Sequence, residues 1–374
     1  MPVGKVKYQA RGFHTLRLWR IDIYRVAASF TRYNLVLVFS AFILNTIFIA
    51  EPSFAQATIQ NIVFEGAGIR GIAYPGAIKV LENSNRLSTV KRFGGTSAGA
   101  ISALLLALGY SSKEMETIIQ ATPFKKFNDG NIIFFDGASR MKKFYGWYRG
   151  KKFENWLAKI IAYKTGDSKV TFSALKTKGF KDLYVTGTCL NTQSKRVFSF
   201  ENYPDMEVLT AVRISMSIPF YFEAVFINAQ GQRILHPANK AGLDCMIDGG
   251  VVANFPINIF DSSRYMGLTG INVFTVNPNT VGFRIDRQEQ IEADRNAAGL
   301  AVYPVENFKS FLGAFYNIIL ENLNRQTLSP ADWQRTISIS DGAIGPRIRK
   351  ISPEVKETLF QNGIKATRKF FSIR

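Results

Sequence analysis

Residues 89–108 read TVKRFGGTSAGAISALLLAL. The order of apolar residues and glycines predicts a strand over Thr89–Phe93, a tight turn, and an apolar helix over Ala98–Leu108. The turn, Gly95–Gly99, has the pattern G-x-S-x-G between a strand and a helix, which is the context in which that pattern carries a nucleophile. The stretch therefore predicts that the hydroxyl of Ser97 is exposed on a sharp turn at the end of the strand.

The neighbours of Ser97 are small, as a tight strand-to-helix turn requires. Glycine has no side chain to collide where the two elements nearly touch. The start of the helix also places a partial positive charge beneath Ser97, where it favours developing negative charge. We therefore assign the nucleophile elbow to four neighbours of the serine: Gly95, Thr96, Ala98 and Gly99.

A second glycine turn lies between a predicted strand at Ile59–Phe64 and a predicted helix at Ala73–Glu82. A dinucleotide loop would require an acidic residue about 20 positions later, and residues 83–92 contain none. A phosphate loop of the Walker type would require Lys followed by Ser or Thr, and Ile72 and Ala73 stand there instead. We interpret the turn as a row of backbone N–H groups that stabilises an oxyanion. The row comprises Gly66, Ala67, Gly68, Ile69, Arg70 and Gly71.

A third motif, Asp248-Gly249-Gly250, follows a predicted strand at Cys245–Ile247. A carboxylate at a strand end, held by two glycines, is well placed to face Ser97. The alternative is an ordinary turn aspartate. Beside an elbow and a glycine-rich oxyanion loop, the catalytic interpretation of Asp248 is favoured.

Histidine is scarce, with only His14 and His236 in the chain. This scarcity excludes zinc sites that need several histidines, including the H-E-x-x-H type. A Ser-His-Asp triad in the body of the chain would have to use His236. In α/β-hydrolases the histidine follows both the serine and the acid, whereas His236 precedes Asp248, so the order disfavours a triad.

The body of the chain alternates predicted strands and helices, which favours the α/β class, with a mainly parallel sheet between helices. Further strands are predicted at Asp182–Cys189, Arg196–Phe200 and Ile271–Val276. Further helices are predicted at Glu207–Ser217, Val305–Leu328 and Pro353–Phe371.

In this order, the loop G-A-G-I-R-G, the elbow G-T-S-A-G and the motif D-G-G resemble the signature of patatin-like phospholipases. Asn254-Phe255-Pro256 and the stretch Arg213–Pro219 resemble the same family. The resemblance spans Ile59 to Asn277. Ala67 stands where the family often has glycine, and D-G-G replaces the commoner D-G-A, but neither change removes a backbone donor.

The resemblance implies an α/β three-layer sandwich and hydrolysis of lipid acyl esters through a Ser-Asp dyad without histidine. Ser97 would be the nucleophile, Asp248 the base, and Gly66, Ala67 and Gly68 part of the oxyanion loop. Neither a metal nor an organic cofactor is implied. The expected substrate is a phospholipid or another acyl-ester lipid, and Arg70 could meet its phosphate, fix the loop or form a structural ion pair. A soluble esterase or acyltransferase, a catalytically silent membrane-binding scaffold and an unknown protein activator remain open.

Residues 1–57 have the order of a targeting segment. Residues 1–33 are basic, Leu35–Ala50 is a nearly continuous apolar run, and Ala55-Gln56-Ala57 offers small residues for cleavage. This order predicts a signal peptide and an exported protein. The alternative is an uncleaved, membrane-associated anchor, because the run is close to the lower limit for a membrane-spanning helix.

The chain has a net charge of +19, which attracts polyanions such as nucleic acid or an anionic membrane. Residues 123–165 interleave many Lys and Arg with aromatic rings and predict a helical cap. Amphipathic rings among cations suit a lipid headgroup interface, although they could also suit single-stranded nucleic acid. The predicted acyl-hydrolase site favours lipid, so no nucleic acid is expected. Residues 58–280 are the predicted catalytic domain, and residues 281–374 are a predicted helical extension packed on it.

Overall fold

A mostly parallel sheet organises the protein in the computed structural model, which describes residues 58–130, 134–268, 272–296, 298–319, 325, 327–345 and 350–373. The strands are β1 Asn61–Phe64, β2 Arg92–Gly95, β3 Gly146–Tyr148, β4 Asp182–Cys189, β5 Ser194–Phe198, β6 Phe220–Phe222, β7 Val225–Ile227, β8 Arg233–Ile234, β9 Asp244–Asp248, β10 Thr280–Asp286 and β11 Thr336–Ser340. Nine of them form the main sheet, and β3 and β6 form a separate two-stranded sheet.

The strand order in the main sheet is β11-β10-β1-β2-β4-β9-β7-β8, with β5 also paired to β4. Neighbours from β11 to β4 are parallel. The pairings of β4 with β5 and β9, and those from β9 to β8, are antiparallel. The C-terminal ends of β1, β2 and β10 therefore lie at one edge of the sheet, and the antiparallel β9 brings its own C-terminal residue toward the same region.

Helices cover both faces of this sheet. They are α1 Tyr74–Asn83, α2 Ala98–Ala107, α3 Ser112–Ala121, α4 Phe134–Phe144, α5 Lys151–Thr165, α6 Phe172–Thr177, α7 Val208–Ser215, α8 Gly250–Ala253, α9 Gln288–Arg295, α10 Phe308–Asn317, α11 Pro330–Gln334 and α12 Pro353–Ile373. Successive residues of a strand point to opposite faces, and in β1 the buried Val63 and Phe64 belong to two different apolar clusters. Both faces are thus covered, and the predicted α/β class is confirmed.

The strand predicted at Ile271–Val276 lies later in the chain, at Thr280–Asp286. Residues 272–276, the described part of the predicted strand, form only a single bridge, between Ser262 and Phe274. The strand is β10, which pairs with β1. Its Arg284 and Asp286 look unsuitable for a central strand, but their charges are neutralised by Glu65, 2.9 Å from Arg284, and by Arg325, 2.6 Å from Asp286.

The C-terminal quarter of the chain mixes strands with helices. Residues 281–374 supply most of β10 and all of β11 to the central sheet, besides the predicted final helix, which is α12. The helix predicted over Val305–Leu328 is confirmed from Phe308 to Asn317, where α10 follows its N-cap Asn307 and so begins three residues later than predicted. Residues 320–324 and 326 lie outside the described residues.

The predicted targeting segment, residues 1–57, also lies outside the described residues. Among the residues that are described, no helix has both the length and the apolar character needed to cross a membrane.

Candidate active site

Ser97 occupies the turn between β2 and α2 in a conformation that non-glycine residues rarely adopt, with φ 54° and ψ −123°. Strain of this kind persists only where the surroundings enforce it. Here the elbow is enforced by close backbone contacts: a Cβ on Gly99 would lie 2.5 Å from the carbonyl oxygens of Phe64 and Glu65, and one on Gly95 would overlap the carbonyl of Gly99. The two glycines of the motif are therefore steric requirements of the turn.

Hydrogen bonds of the Thr96 side chain hold the elbow against neighbouring elements. Its hydroxyl lies 2.5 Å from that of Thr186 on β4 and donates to the carbonyl of Ala253 in α8 at 2.8 Å. Since α8 follows directly after the Asp-Gly-Gly motif, this residue connects the two parts of the site.

The structure brings Ser97 and Asp248 together. The Ser97 Oγ donates to Asp248 Oδ2 at 2.8 Å, and both side chains are buried. The other carboxylate oxygen, Oδ1, accepts the Gly250 N–H at 2.7 Å. A Cβ on Gly249 would lie 2.6 Å from the carbonyl oxygen of Thr186, so the first glycine allows the close approach to β4 and the second orients the carboxylate.

Burial changes the acidity of this carboxyl. Removal from water disfavours the charged form and raises the pKa of Asp248 to about 7, although hydrogen bonds from Gly250 and Ser97 act in the opposite direction. A carboxylate with a pKa near neutrality is a far better proton acceptor than an ordinary aspartate. The environment thus gives Asp248 the basicity that its residue type lacks.

A turn at the end of α7 holds both members of the pair. The Ser215 Oγ accepts the N–H of Ser97 at 2.7 Å, and the carbonyl of Ser217 accepts the N–H of Asp248 at 2.9 Å. The sequence indicated this stretch only through its family resemblance. In the sequence, the signal for the role of this turn is the pair Ser215 and Ser217, which lie two residues apart at the end of a helix, just before Pro219.

Arg213 fixes this turn from the other side. Its buried guanidinium donates to Ser217 Oγ at 2.5 Å and to Glu154 Oε1 at 3.1 Å. Glu154 lies on α5, which belongs to the predicted cap. Arg213 therefore connects the cap to the backbone that supports Ser97 and Asp248.

The glycine-rich loop offers fewer free donors than the sequence predicts. The Gly66 N–H donates to the carbonyl of Asn254 at 2.9 Å, and the Arg70 N–H donates to that of Ala67 at 3.2 Å. The assignment of these two N–H groups as oxyanion donors is therefore wrong. Within the described part of the chain, the N–H groups of Ala67, Gly68 and Ile69 make no backbone hydrogen bond.

The remaining loop residues shape the backbone. Gly68 has φ 54°, which favours glycine. Gly71 lies against α2, where an added Cβ would be 3.0 Å from the Cβ of Ala98. Arg70 is buried, donates through Nε to the carbonyl of Ala67 at 3.1 Å and lies 3.8 Å from Asp341. Of its three interpretations, fixing the loop through structural contacts agrees with the structure.

His236 has other partners. Its Nε2 lies 3.2 Å from Glu223 Oε2, and its ring stacks on that of Phe144 at 4.3 Å between centroids. The side chain is largely exposed. Because Ser97 donates its hydrogen bond directly to Asp248, the geometry does not favour a catalytic triad that includes His236.

An apolar cavity opens beside Ser97. Its walls come from the glycine loop, the elbow helix, α3, the α7 turn and the predicted cap. The lining residues are Gly68, Ile69, Gly71, Ile72, Ala98, Ile101, Ser102, Ile119, Phe124, Phe127, Trp156, Met216 and Ile218. Met216 also contacts the nucleophile, with its Sδ 3.5 Å from Ser97 Oγ. The apolar lining of the cavity therefore lies next to the reactive oxygen.

The cap buries some of its rings and exposes most of its lysines. Phe127 and Phe153 are buried, and Phe124 and Trp156 are half-buried against the core. The lysines face outward: Lys125, Lys126, Lys142, Lys143, Lys151 and Lys152 are exposed. The expectation that the rings of this stretch meet lipid headgroups is wrong for the buried Phe127 and Phe153, whereas Tyr145 and Tyr163 are exposed and the lysines form an exposed basic surface.

Similarity to known proteins agrees with this geometry. The family described as patatin-like phospholipase matches residues 62–261, which include Ser97 and Asp248. The chain is 33% identical over 219 residues to the uncharacterized protein YqhO of Bacillus subtilis, covering 56% of this chain and 70% of YqhO. It is 27% identical over 202 residues to the probable lipid hydrolase 463L of Invertebrate iridescent virus 6, covering 54% of this chain and 62% of that protein.

The fold is also found among solved structures. VipD from Legionella pneumophila superimposes with a TM-score of 0.51 and 14% identity, covering 84% of this chain and 67% of VipD. At this level of identity the likeness concerns the fold alone. Because the family match extends over more than half of the sequence, the chain belongs to the patatin-like phospholipase family.

Proposed function

We propose that the protein is a lipid acyl hydrolase that cleaves carboxylic ester bonds, with Ser97 as nucleophile and Asp248 as its base. The observation that carries the proposal is the buried 2.8 Å hydrogen bond from Ser97 Oγ to Asp248 Oδ2. Membership of a phospholipase family supports the lipid substrate.

The reaction begins when Ser97 Oγ attacks the ester carbonyl carbon and its proton passes to Asp248. Negative charge then develops on the carbonyl oxygen, where N–H groups of Ala67, Gly68 and Ile69 are the candidate donors. Collapse of this intermediate expels the alcohol, which takes the proton from Asp248 and leaves an acyl-enzyme. Asp248 then takes a proton from a water molecule that attacks the acyl carbon. The bond from this carbon to Ser97 Oγ breaks, Asp248 returns the proton to Oγ, and the carboxylic acid is released.

The substrate acyl chain would occupy the apolar cavity beside Ser97. Its lining of rings and aliphatic side chains favours hydrocarbon over a polar acyl group. We also propose an anionic membrane surface as the place of action, because the net charge is +19 and the lysines of the cap are exposed.

For localisation, we propose that residues 1–57 direct export, as their basic, apolar and small-residue order indicates. N-terminal sequencing of the exported or cell-associated protein should find a start near Gln56 or Thr58. An intact N-terminus in a cytosolic pool would contradict export.

The test of the activity is lipid-product mass spectrometry. Purified protein is incubated with vesicles of mixed phospholipids, beside a Ser97→Ala variant whose fold is checked by circular dichroism. We expect free fatty acid and lysophospholipid from the parent protein and neither from the variant. Hydrolysis of monomeric short-chain esters alone would favour a soluble esterase, and no hydrolysis of either substrate would favour a silent scaffold.

A further inference from the structure

One side of α10 exposes large apolar side chains. Phe308, Phe311, Phe315 and Ile318 are between 52% and 74% exposed, and their spacing of three, four and three residues places them along one side of the helix. We call these four residues the phenylalanine face. A continuous apolar patch of this kind on a protein surface marks a site of interaction.

The helix is tied to the end of a central strand. Arg287, the residue after β10, donates to the carbonyls of Val302 and Ala301 at 3.1 and 3.3 Å. Its guanidinium lies 4.7 Å from the centre of the Tyr303 ring. Gly313 of α10 lies on the same ring, since a Cβ there would be 2.6 Å from the Tyr303 hydroxyl oxygen. This chain of contacts connects α10 to the C-terminal end of β10.

That end of β10 is also the active-site edge. Because β10 runs parallel to β1, which runs parallel to β2, the segments that follow these three strands leave from the same edge of the sheet. The glycine loop follows β1, Ser97 follows β2, and Arg287 follows β10. The basic cap reaches this edge as well, because its Phe124 and Trp156 line the cavity with Ala98.

We infer that the phenylalanine face docks the protein on an anionic lipid surface, so that Ser97 meets its substrate at the bilayer. The inference rests on the proposed function for its substrate. The occupant is a lipid surface because the exposed rings lie at the edge that holds the proposed lipid site, and because the exposed lysines of the cap, whose Phe124 and Trp156 reach this edge, complement anionic headgroups.

The test uses Phe308→Ala, Phe311→Ala and Phe315→Ala together. The control is Phe274→Ala, an equally exposed ring that precedes β10 rather than following it. Partitioning onto vesicles of phosphatidylglycerol and phosphatidylcholine is measured by co-sedimentation, in the Ser97→Ala background so that the vesicles stay intact. We expect the triple variant to partition roughly 100-fold more weakly and the control to match the parent. The triple variant with Ser97 intact should keep its turnover of a soluble short-chain ester.

Unchanged partitioning of the triple variant would overturn the inference. So would a parent protein that self-associates in solution and becomes monomeric on the same substitutions without a change in vesicle binding, because the face would then be a protein contact. Failure of the proposed function looks different: the parent protein would hydrolyse neither vesicle lipid nor soluble ester, while the vesicle-binding measurement would still decide the role of the face.

Discussion

Ser97 and Asp248 are almost completely buried, whereas the rings of the phenylalanine face are more than half exposed. In the first region polar groups are withdrawn from water, and each is satisfied by a partner within the chain. In the second region apolar groups are exposed to water, and the partner that we propose for them is a lipid surface. The comparison teaches that the proposed catalytic residues and the proposed membrane-binding residues lie in different regions. Substitutions in the buried region should therefore affect the hydrolysis of every ester substrate. Substitutions at the exposed surface should affect only substrates in lipid aggregates.

The largest effect is expected from Asp248→Asn. The amide keeps the size of the side chain but cannot accept a proton from Ser97. We expect kcat/KM for a soluble ester to fall by about four orders of magnitude, to the level of Ser97→Ala, when steady-state rates are compared. A variant that folds and retains a tenth of the activity would remove Asp248 from the mechanism.

Gly66→Ala should come next. Its new Cβ would overlap the Asn254 side chain and lie 3.2 Å from the Cβ of Ser97, so the loop that carries the candidate oxyanion donors must shift. We expect kcat to fall by roughly 100-fold or more. Gly345→Ala is the matched control, because nothing lies within 4 Å of its added Cβ. Equal kcat in the two variants would show that the loop position is unimportant.

Arg213→Met tests the connection between the two regions. It removes the donor to Ser217 and leaves Glu154 without one of its buried partners, at a cost of about 3–5 kcal/mol in the free energy of unfolding. We expect kcat for a soluble ester to fall roughly 10- to 100-fold with little change in KM, since the cap contact and the dyad support are lost together.

The control for this prediction is Arg233→Met. Arg233 also pairs with Glu154, at 2.8 Å, but it is half-buried and lacks the hydrogen bond to Ser217 that Arg213 makes. Arg213→Lys should restore part of kcat. If all three variants lose stability equally and keep the parent kcat, Arg213 has no role in positioning the dyad.

The smallest effect is expected from Lys142→Glu with Lys143→Glu. Both side chains are exposed on the cap, so the soluble ester should be hydrolysed at the parent rate. Binding to anionic vesicles should weaken by roughly tenfold at low salt, and the difference should shrink as salt rises. Equal loss on neutral vesicles, measured by the same sedimentation, would point to a structural defect instead of charge.

The elements that could be predicted from sequence are those whose determinants are local. The elbow depends in part on Gly95, whose close contacts are with Gly99 and Ala100 of the same turn and helix start. Strand β4 was predicted with its observed bounds, Asp182–Cys189, because it is an apolar run with clear ends.

The elements that could not be predicted depend on distant partners. Strand β10 carries an arginine that is acceptable only beside Glu65, more than 200 positions earlier. The roles of Ser215 and Ser217 require that α7 lie next to β2 and β9. The burial of Phe127 and Phe153, likewise, is decided by which face of the cap meets the core, and interleaved charges and rings in the sequence do not reveal that face.

The central claim, that Asp248 serves Ser97 directly, is tested most directly by the pH dependence of Ser97 phosphonylation with a fluorophosphonate probe. Asp248 must be deprotonated to accept the serine proton, and burial raises its pKa to about 7, so the rate should rise with pH through one ionisation near that value. His236→Ala should keep this ionisation, and Asp248→Asn should abolish it along with most of the rate. An ionisation that disappears in His236→Ala and persists in a folded Asp248→Asn would contradict the dyad.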